Sequence, residues 1–252
     1  MRKQWAWLCG LGMWVLSLAL YAETVSMDLI NLAGRQRMLS QRMVKNYAQL
    51  GLGVIPQSAR QQMTEAEKDF NQALQLLRKL TVAWPEASKQ VERMTTDWQR
   101  VQPMLTVTPS AANALQLDER VELLLGDAQT LTVQLQDLSG QSTGKWVNLS
   151  GRTRMLSQRL AKNALLRQWG IQSPARDSAM QQTRKEIQQA LESLQAAPVN
   201  TDAIRRQLQM AQQQWFFFDA ALKTGNAEHI ATTSERLVEV MENCTQLYAA
   251  LK

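Results

Sequence analysis

Apolar residues recur at spacings of three and four along almost the whole chain, as expected for amphipathic helices packed against one another. In one stretch, for example, Met63, Phe70, Leu74 and Leu77 share a single helical face. Short segments rich in Gly, Pro, Ser and Thr interrupt the pattern. The pattern therefore predicts eight helices, at about residues 23–52, 57–83, 86–105, 111–138, 145–169, 175–196, 202–222 and 227–251.

The second half of the chain repeats the first half. Residues 31–46, here called box 1, read NLAGRQRMLSQRMVKN, and residues 148–163, called box 2, read NLSGRTRMLSQRLAKN, with 12 of 16 positions identical at an offset of 117. Further along, Glu119-Arg120 matches Glu235-Arg236 at an offset of 116. Repetition at a nearly fixed spacing indicates a duplicated structural unit.

Four helices joined by short breaks favour antiparallel up-down packing. We therefore predict an all-α fold made of two tandem antiparallel four-helix bundles related by internal duplication, in domains 23–140 and 141–252. The two bundles either lie side by side about a pseudo-twofold axis or stack end to end through a continuous fourth and fifth helix.

The first residues have the composition of a secretory signal peptide. Arg2 and Lys3 precede an apolar run at 5–20, which ends before Ala22. We expect residues 1–22 to be a signal peptide cleaved near Ala22, with export to the periplasm. An uncleaved membrane anchor is the alternative, although the run is short for a spanning helix. Cleavage would leave Cys244 as the sole cysteine, so that the fold would rely on its core rather than on a disulfide.

Composition narrows the classes of function. The net charge of +6 suits an anionic ligand but is too diffuse to argue for nucleic acid. The sequence has a single histidine, His229, and no triad order, phosphate loop or metal-ligand spacing. We therefore expect no enzyme activity, no metal and no cofactor. Met38 and Met155 are expected to fill the core rather than to bind copper.

One arginine in each box stands apart from the apolar face of its helix. On a helical wheel, Leu32, Leu39 and Met43 form the stripe that faces the bundle core, and Arg37 lies on another side among small residues. Arg154 has the same place in box 2. Small neighbours let a second helix approach closely, so we expect the boxes to pair through these faces and to bring the two arginines together.

Two guanidinium groups repel each other unless an anion lies between them, and a small planar oxyanion can accept two N–H groups from each. The sequence therefore predicts an anion site, whose candidate ligand-binding residues are Arg37, Arg154, Gly34, Gly151, Gln41 and Gln158. Secondary candidates, expected to be solvated or paired with neighbouring helices, are Arg35, Arg42, Arg152 and Arg159. The alternative is that the two box arginines are structural and pair with a buried carboxylate or with backbone carbonyls.

The shared pattern Asn-Leu-Ala/Ser-Gly-Arg-x-Arg-Met-Leu-Ser-Gln-Arg resembles the box at the start of PilJ-type sensor domains, named for the N-terminal region of the type IV pilus chemotaxis transducer. It is also similar to the P-box of the NarX and NarQ nitrate and nitrite sensors. The resemblance implies a periplasmic four-helix bundle for each half. In the nitrate sensors the first arginine of Gly-x-x-Arg-Met, one from each subunit, binds the anion, and the matching positions are Arg37 and Arg154. Gln36 and Thr153 depart from that box, since the nitrate sensors carry an apolar residue there.

These observations together favour a periplasmic sensory or ligand-binding protein. It would bind a small oxyanion of the nitrate and nitrite kind between its two boxes and signal to a membrane sensor or transducer. The alternative is a structural or adaptor module whose helical faces bind a protein partner without a small ligand. The apolar run at 215–218 is too wide for one helical stripe, and we expect it to combine core packing with a partner contact.

Overall fold

The computed structural model describes residues 24–251, which form eight α-helices and one short 3₁₀ helix. The signal peptide predicted at 1–22 lies outside the described residues. The all-α prediction is confirmed. Within residues 24–251, no helix has the length and apolar character needed to cross a membrane. The helices are α1 (Met27–Leu52), α2 (Pro56–Leu80), α3 (Pro85–Val101), the 3₁₀ helix (Gln102–Thr106), α4 (Ala111–Ser139), α5 (Gly144–Gln168), α6 (Pro174–Gln195), α7 (Asp202–Thr224) and α8 (Ala227–Ala249).

Local chemistry sets where these helices begin and end. Ser26 and Ser110 cap α1 and α4, because each hydroxyl accepts a backbone N–H from the first turn. Gly53 takes a left-handed conformation, with φ of 69°, and ends α1. Three predicted boundaries are corrected. The helix expected to start at about residue 23 begins at Met27, after its Ser26 cap. The helix expected to reach about residue 83 ends at Leu80, and the next becomes 3₁₀ after Val101, because the following Pro103 has no N–H to continue the α-helical ladder.

Each half forms its own four-helix bundle, from α1–α4 and from α5–α8, as predicted. An aromatic pair anchors the first bundle, with the rings of Phe70 and Trp98 centred 4.4 Å apart. In the second bundle Trp215 packs edge-on against Phe218 at 6.0 Å. The independence of domains 23–140 and 141–252 stays a prediction.

The halves lie side by side, because α1 runs parallel to α5 along its length. At one end the Thr143 hydroxyl lies 3.4 Å from the Met27 sulfur. At the other end α1 carries Gly51, where an added Cβ would lie 2.0 Å from the ring of Trp169, so only glycine fits. α4 and α5 are separate helices, since left-handed Gly140 follows α4. α1 and α5 therefore lie at the centre of the molecule and bring the two boxes together.

Candidate functional site

The two box arginines lie at the contact between α1 and α5. Arg37 and Arg154 are both fully buried. Their guanidinium groups converge beside Gly151, where an added Cβ would lie 3.0 Å from Nη2 of Arg154 and 3.5 Å from Nη2 of Arg37. Gly34 has the corresponding role in box 1, because a Cβ added to it would lie 3.0 Å from Nη2 of Arg37. The structure thus brings together four of the six predicted site residues, and the glycines provide the space that the guanidiniums occupy.

Arg37 is held by neutral groups alone. Its Nε donates to the Gly34 carbonyl at 3.3 Å, Nη1 to the Gln129 side-chain oxygen at 2.6 Å, and Nη2 to the Asn148 carbonyl at 3.4 Å. Within residues 24–251 no carboxylate pairs with it. Of the two structural alternatives, pairing with a carboxylate does not describe Arg37 among the described residues. Pairing with backbone carbonyls does, since two of its three partners are the carbonyls of Gly34 and Asn148.

Arg154 has a different set of partners. Its Nη1 forms an ion pair with Glu242 of α8, and its Nη2 donates to the Asn31 side-chain oxygen at 2.7 Å. Nε of Arg154 is buried and has no partner in the described part of the chain. The two arginines thus each contact the first asparagine of the opposite box, but only Arg154 has a counter-ion within the described part of the chain.

The two half-sites are related by pseudo-twofold symmetry. Gln129 on α4 holds Arg37 as Glu242 on α8 holds Arg154, and these two positions are 113 residues apart. The same separation relates Glu122 to Glu235, which pair with corresponding cations of the opposite box. The sequence match of Glu119 to Glu235 was therefore wrong by about one helical turn. The structural match shows that a neutral Gln stands where the other half has a charged Glu.

Burial and like charges act on these guanidiniums in the same direction. Burial, followed by the nearby charges of Arg154 and Arg152, lowers the pKa of Arg37 to about 9. Burial also lowers the pKa of Arg154, although the carboxylate of Glu242 opposes the shift. With a pKa of about 9, Arg37 remains charged at neutral pH, so the site contains a buried positive charge beside the Arg154–Glu242 ion pair.

Ion pairs across the two halves flank the site. Lys45 of box 1 is fully buried and pairs with Glu235 of α8, as does its neighbour Arg42. In the other half, Lys162 of box 2 is 1% exposed and pairs with two carboxylates of α4, Asp118 at 2.5 Å and Glu122 at 2.6 Å. Each box thus reaches into the opposite bundle, and these contacts link the two halves.

The four secondary candidates lie further from the contact between Arg37 and Arg154 and form ion pairs of their own. Arg159 pairs with Glu122 at 2.8 Å across the halves, and so joins Arg42 at the interface. Arg35 and Arg152 instead bond to α2 and α6 of their own bundles, each at 2.8 Å, through Asp69 and Glu186. The secondary candidates are therefore paired with neighbouring helices, as expected.

Gln41 and Gln158 lie one helical turn beyond the arginines. Both are fully buried. Neither amide atom of Gln41 has a hydrogen-bond partner among residues 24–251. Gln158 donates to the Ser234 carbonyl at 3.4 Å, and its own oxygen has no partner there. Unpaired buried amides are costly, and they provide donors and acceptors beside the arginines.

A surface cleft of about 320 Å³ opens next to the Arg37 half-site. Gln129 and Asn148, which both accept hydrogen bonds from Arg37, form part of its wall. Two cationic side chains, Lys145 and Arg152, also line it. A solvent anion could therefore reach the partners of Arg37 through a cleft of positive charge.

Sequence reasoning missed four of the residues that hold the arginines. Asn31 and Asn148 begin the two boxes and are identical, so the repeat itself was a signal for them. Gln129 and Glu242 differ from each other and lie outside the boxes, and nothing in the sequence marked them. Their importance comes from the packing of α4 and α8 against the central helices.

The other chemically notable residues lie away from this site or in the core. Met38 and Met155 are buried. Cys244 is also buried, and burial raises the pKa of its thiol to about 12. His229 is exposed, and within residues 24–251 no cluster of three or more His, Cys, Asp or Glu could hold a metal ion. On α7, Phe216 and Phe217 are 69% and 53% exposed.

One comparison with known proteins gives a match. The family model described as "Type IV pili methyl-accepting chemotaxis transducer N-term", PilJ, matches residues 26–123 and, a second time, residues 139–240. The prediction of two tandem copies of this domain is confirmed. No curated protein and no solved structure shows significant similarity to the chain. The relation to the NarX and NarQ sensors stays a prediction.

Proposed function

Since the chain belongs to the PilJ family of chemotaxis-transducer N-terminal domains, we propose that it is a sensory protein whose paired boxes bind a small oxyanion of the nitrate and nitrite class. The family serves sensory signalling rather than catalysis. The proposal places the protein in the periplasm, with a membrane sensor or transducer as its signalling partner.

The environment of Arg37 is the main observation that supports an anionic ligand. A guanidinium buried without a carboxylate is costly, because the transfer of a charge from water into a protein interior requires compensation. A second guanidinium beside it adds repulsion. A planar oxyanion between Arg37 and Arg154 would supply the missing charge and would accept the N–H groups that both forks leave free.

The position of the site suggests how occupancy is reported. The arginines come from different halves, so a ligand that contacts both would change the contact between α1 and α5. The cross-half ion pairs of Lys45 and Lys162 would move with it. A small rigid shift of one bundle against the other is an established form of signal transmission and would reach a partner bound at the bundle ends.

The test is a thermal-unfolding and calorimetric series on the purified chain with nitrate, nitrite, sulfate, phosphate and small carboxylates. An anion at about 100 times its dissociation constant should add about 2.7 kcal/mol to the free energy of unfolding. Arg37→Met should abolish the effect. The matched control is Arg78→Met, which removes the same charge from an exposed pair with Glu92 and should leave binding intact. Stabilisation that persists in Arg37→Met would exclude this site.

The adaptor function remains the second candidate because of the exposed pair Phe216 and Phe217. Two adjacent exposed phenylalanines on one helix are unusual on a free surface and are typical of a contact with another protein. The double variant Phe216→Ser and Phe217→Ser should keep its fold and lose binding to a membrane transducer. An anion series without any effect, together with that loss, would favour the adaptor.

A further inference from the structure

The two half-sites differ in one charge, and this difference has a consequence for the ligand. We propose that Gln129 and Glu242 determine the charge of the anion that the site accepts, and that they select a monoanion over a dianion. The inference rests on the proposed anion-binding function and adds the residues that determine the charge of the ligand.

Gln129 and Glu242 hold equivalent positions in the two half-sites. Each accepts a hydrogen bond from Nη1 of the arginine in its own half, Gln129 from Arg37 at 2.6 Å and Glu242 from Arg154. Both side chains are half-buried at the edge of the interface. Their side chains are nearly identical in shape, so at this one position the half-sites differ in charge and hardly in geometry.

The charges around the two guanidinium groups do not balance. Arg37 and Arg154 together bring two positive charges, and Glu242 is the one charged group that hydrogen-bonds to either of them among residues 24–251. The nearby Arg152 and Arg35 have carboxylate partners of their own, Glu186 and Asp69. Arg42, which also lies near Arg154, shares the Glu235 carboxylate with Lys45. Among the described groups that hydrogen-bond directly, the two box arginines and Glu242 leave one uncompensated positive charge.

A buried site favours the ligand whose charge completes this balance. A monoanion compensates the single remaining charge, whereas a dianion would leave an excess negative charge in a region shielded from water. Two carboxylates, one on each half, would neutralise both arginines and leave no charge to attract an anion. Two glutamines would leave two positive charges and favour a dianion.

The experiment is isothermal titration of the purified full chain with nitrate and formate as monoanions and sulfate as a dianion, at neutral pH. The variants are Glu242→Gln, Gln129→Glu and the double variant with both changes. Glu239→Gln on α8 is the matched control, because Glu239 is exposed and the substitution removes the same charge. Circular dichroism and the melting temperature of each variant check that it is folded.

The wild-type protein and Glu239→Gln should bind the monoanions more tightly than sulfate. Glu242→Gln should shift the affinity ratio toward sulfate by about tenfold or more, since one unit of charge changes at close range. Gln129→Glu should lose binding of all three anions. The double variant restores one carboxylate and should recover the preference for monoanions, even if either single variant is unstable.

The outcomes separate this inference from the function on which it rests. Anion binding by the wild-type protein with an unchanged affinity ratio in Glu242→Gln, or with binding retained in Gln129→Glu, would overturn the charge selection and leave the anion site standing. No binding by the wild-type protein or by any variant would overturn the proposed function, and this inference with it.

Discussion

The substitution Glu235→Gln tests whether the buried ion pair between Lys45 and Glu235 stabilises the contact between the two halves. Glu235 pairs with Lys45 and Arg42 of α1, Lys45 is fully buried, and Glu235 is one-fifth exposed. The substitution leaves the Lys45 ammonium without a carboxylate among the described residues. Removal of one partner from a buried pair costs about 3–5 kcal/mol. Because Glu235 is partly exposed and glutamine keeps one acceptor oxygen, we expect the free energy of unfolding to fall by about 2–4 kcal/mol.

The equivalent substitution in the other half is the control. Glu122→Gln removes one carboxylate from Lys162, but Asp118 remains 2.5 Å from the ammonium. We therefore expect a loss of only about 1 kcal/mol. The assay is urea denaturation followed by far-UV circular dichroism, with linear extrapolation to water. Both variants change the same charge on equivalent helices, so equal losses would refute the idea that Lys45 depends on one partner.

The stability difference between the wild type and Glu235→Gln should depend on pH, because the Glu235 carboxyl group titrates. Burial by itself would raise the pKa of Glu235, but the charges of Lys45 and Arg42 and their hydrogen bonds hold this pKa below its usual value of 4.5. A folded-state pKa below the unfolded one stabilises the protein above the unfolded pKa, and the stabilisation is lost as pH falls through the folded pKa. The difference in free energy of unfolding between the wild type and Glu235→Gln should have its full size at neutral pH and should decrease below about pH 4.

Two glycine substitutions and the thiol reactivity of Cys244 provide further tests. Gly151→Ala should weaken anion binding in calorimetry by about tenfold, because its Cβ would lie 3.0 Å from Nη2 of Arg154; an unchanged affinity would argue against a site beside this glycine. Gly126 is an exposed residue inside α4, and nothing lies within 4 Å of the place of a Cβ. Gly126→Ala should therefore raise the free energy of unfolding in urea by about 0.5–1 kcal/mol. Cys244 should react with a thiol reagent only as the protein unfolds, since the thiol is buried with a pKa raised to about 12, and rapid reaction in native buffer would contradict this.

Helical periodicity and the repeat were enough to predict the fold and the meeting of Arg37 with Arg154. The eight helices follow from apolar spacing, and the small residues around each arginine indicated a close helix contact. Periodicity works here because nearly every helix has one apolar face. That the arginines bind a ligand stays a prediction, since their proximity alone does not identify what lies between them.

The partners of the arginines could not be predicted in the same way. Lys45 resembles a solvated residue in sequence, and its burial arises only because α1 packs against helices of both halves. Glu119 and Glu122 are both acidic and lie about one turn apart on α4, so the sequence could not tell which of them corresponds to Glu235. The register of α4 against α5 decides this, and register is a property of the packed structure.

The short connection between α4 and α5, residues 140–143, makes the encounter of the two boxes an intramolecular event. When two binding elements are tethered by a short linker, each experiences the other at an effective concentration in the millimolar range or above. Their pairing does not depend on how many copies of the protein are present. In the proposed anion sensor, a cell could therefore change the number of molecules without changing the anion concentration at which each one responds.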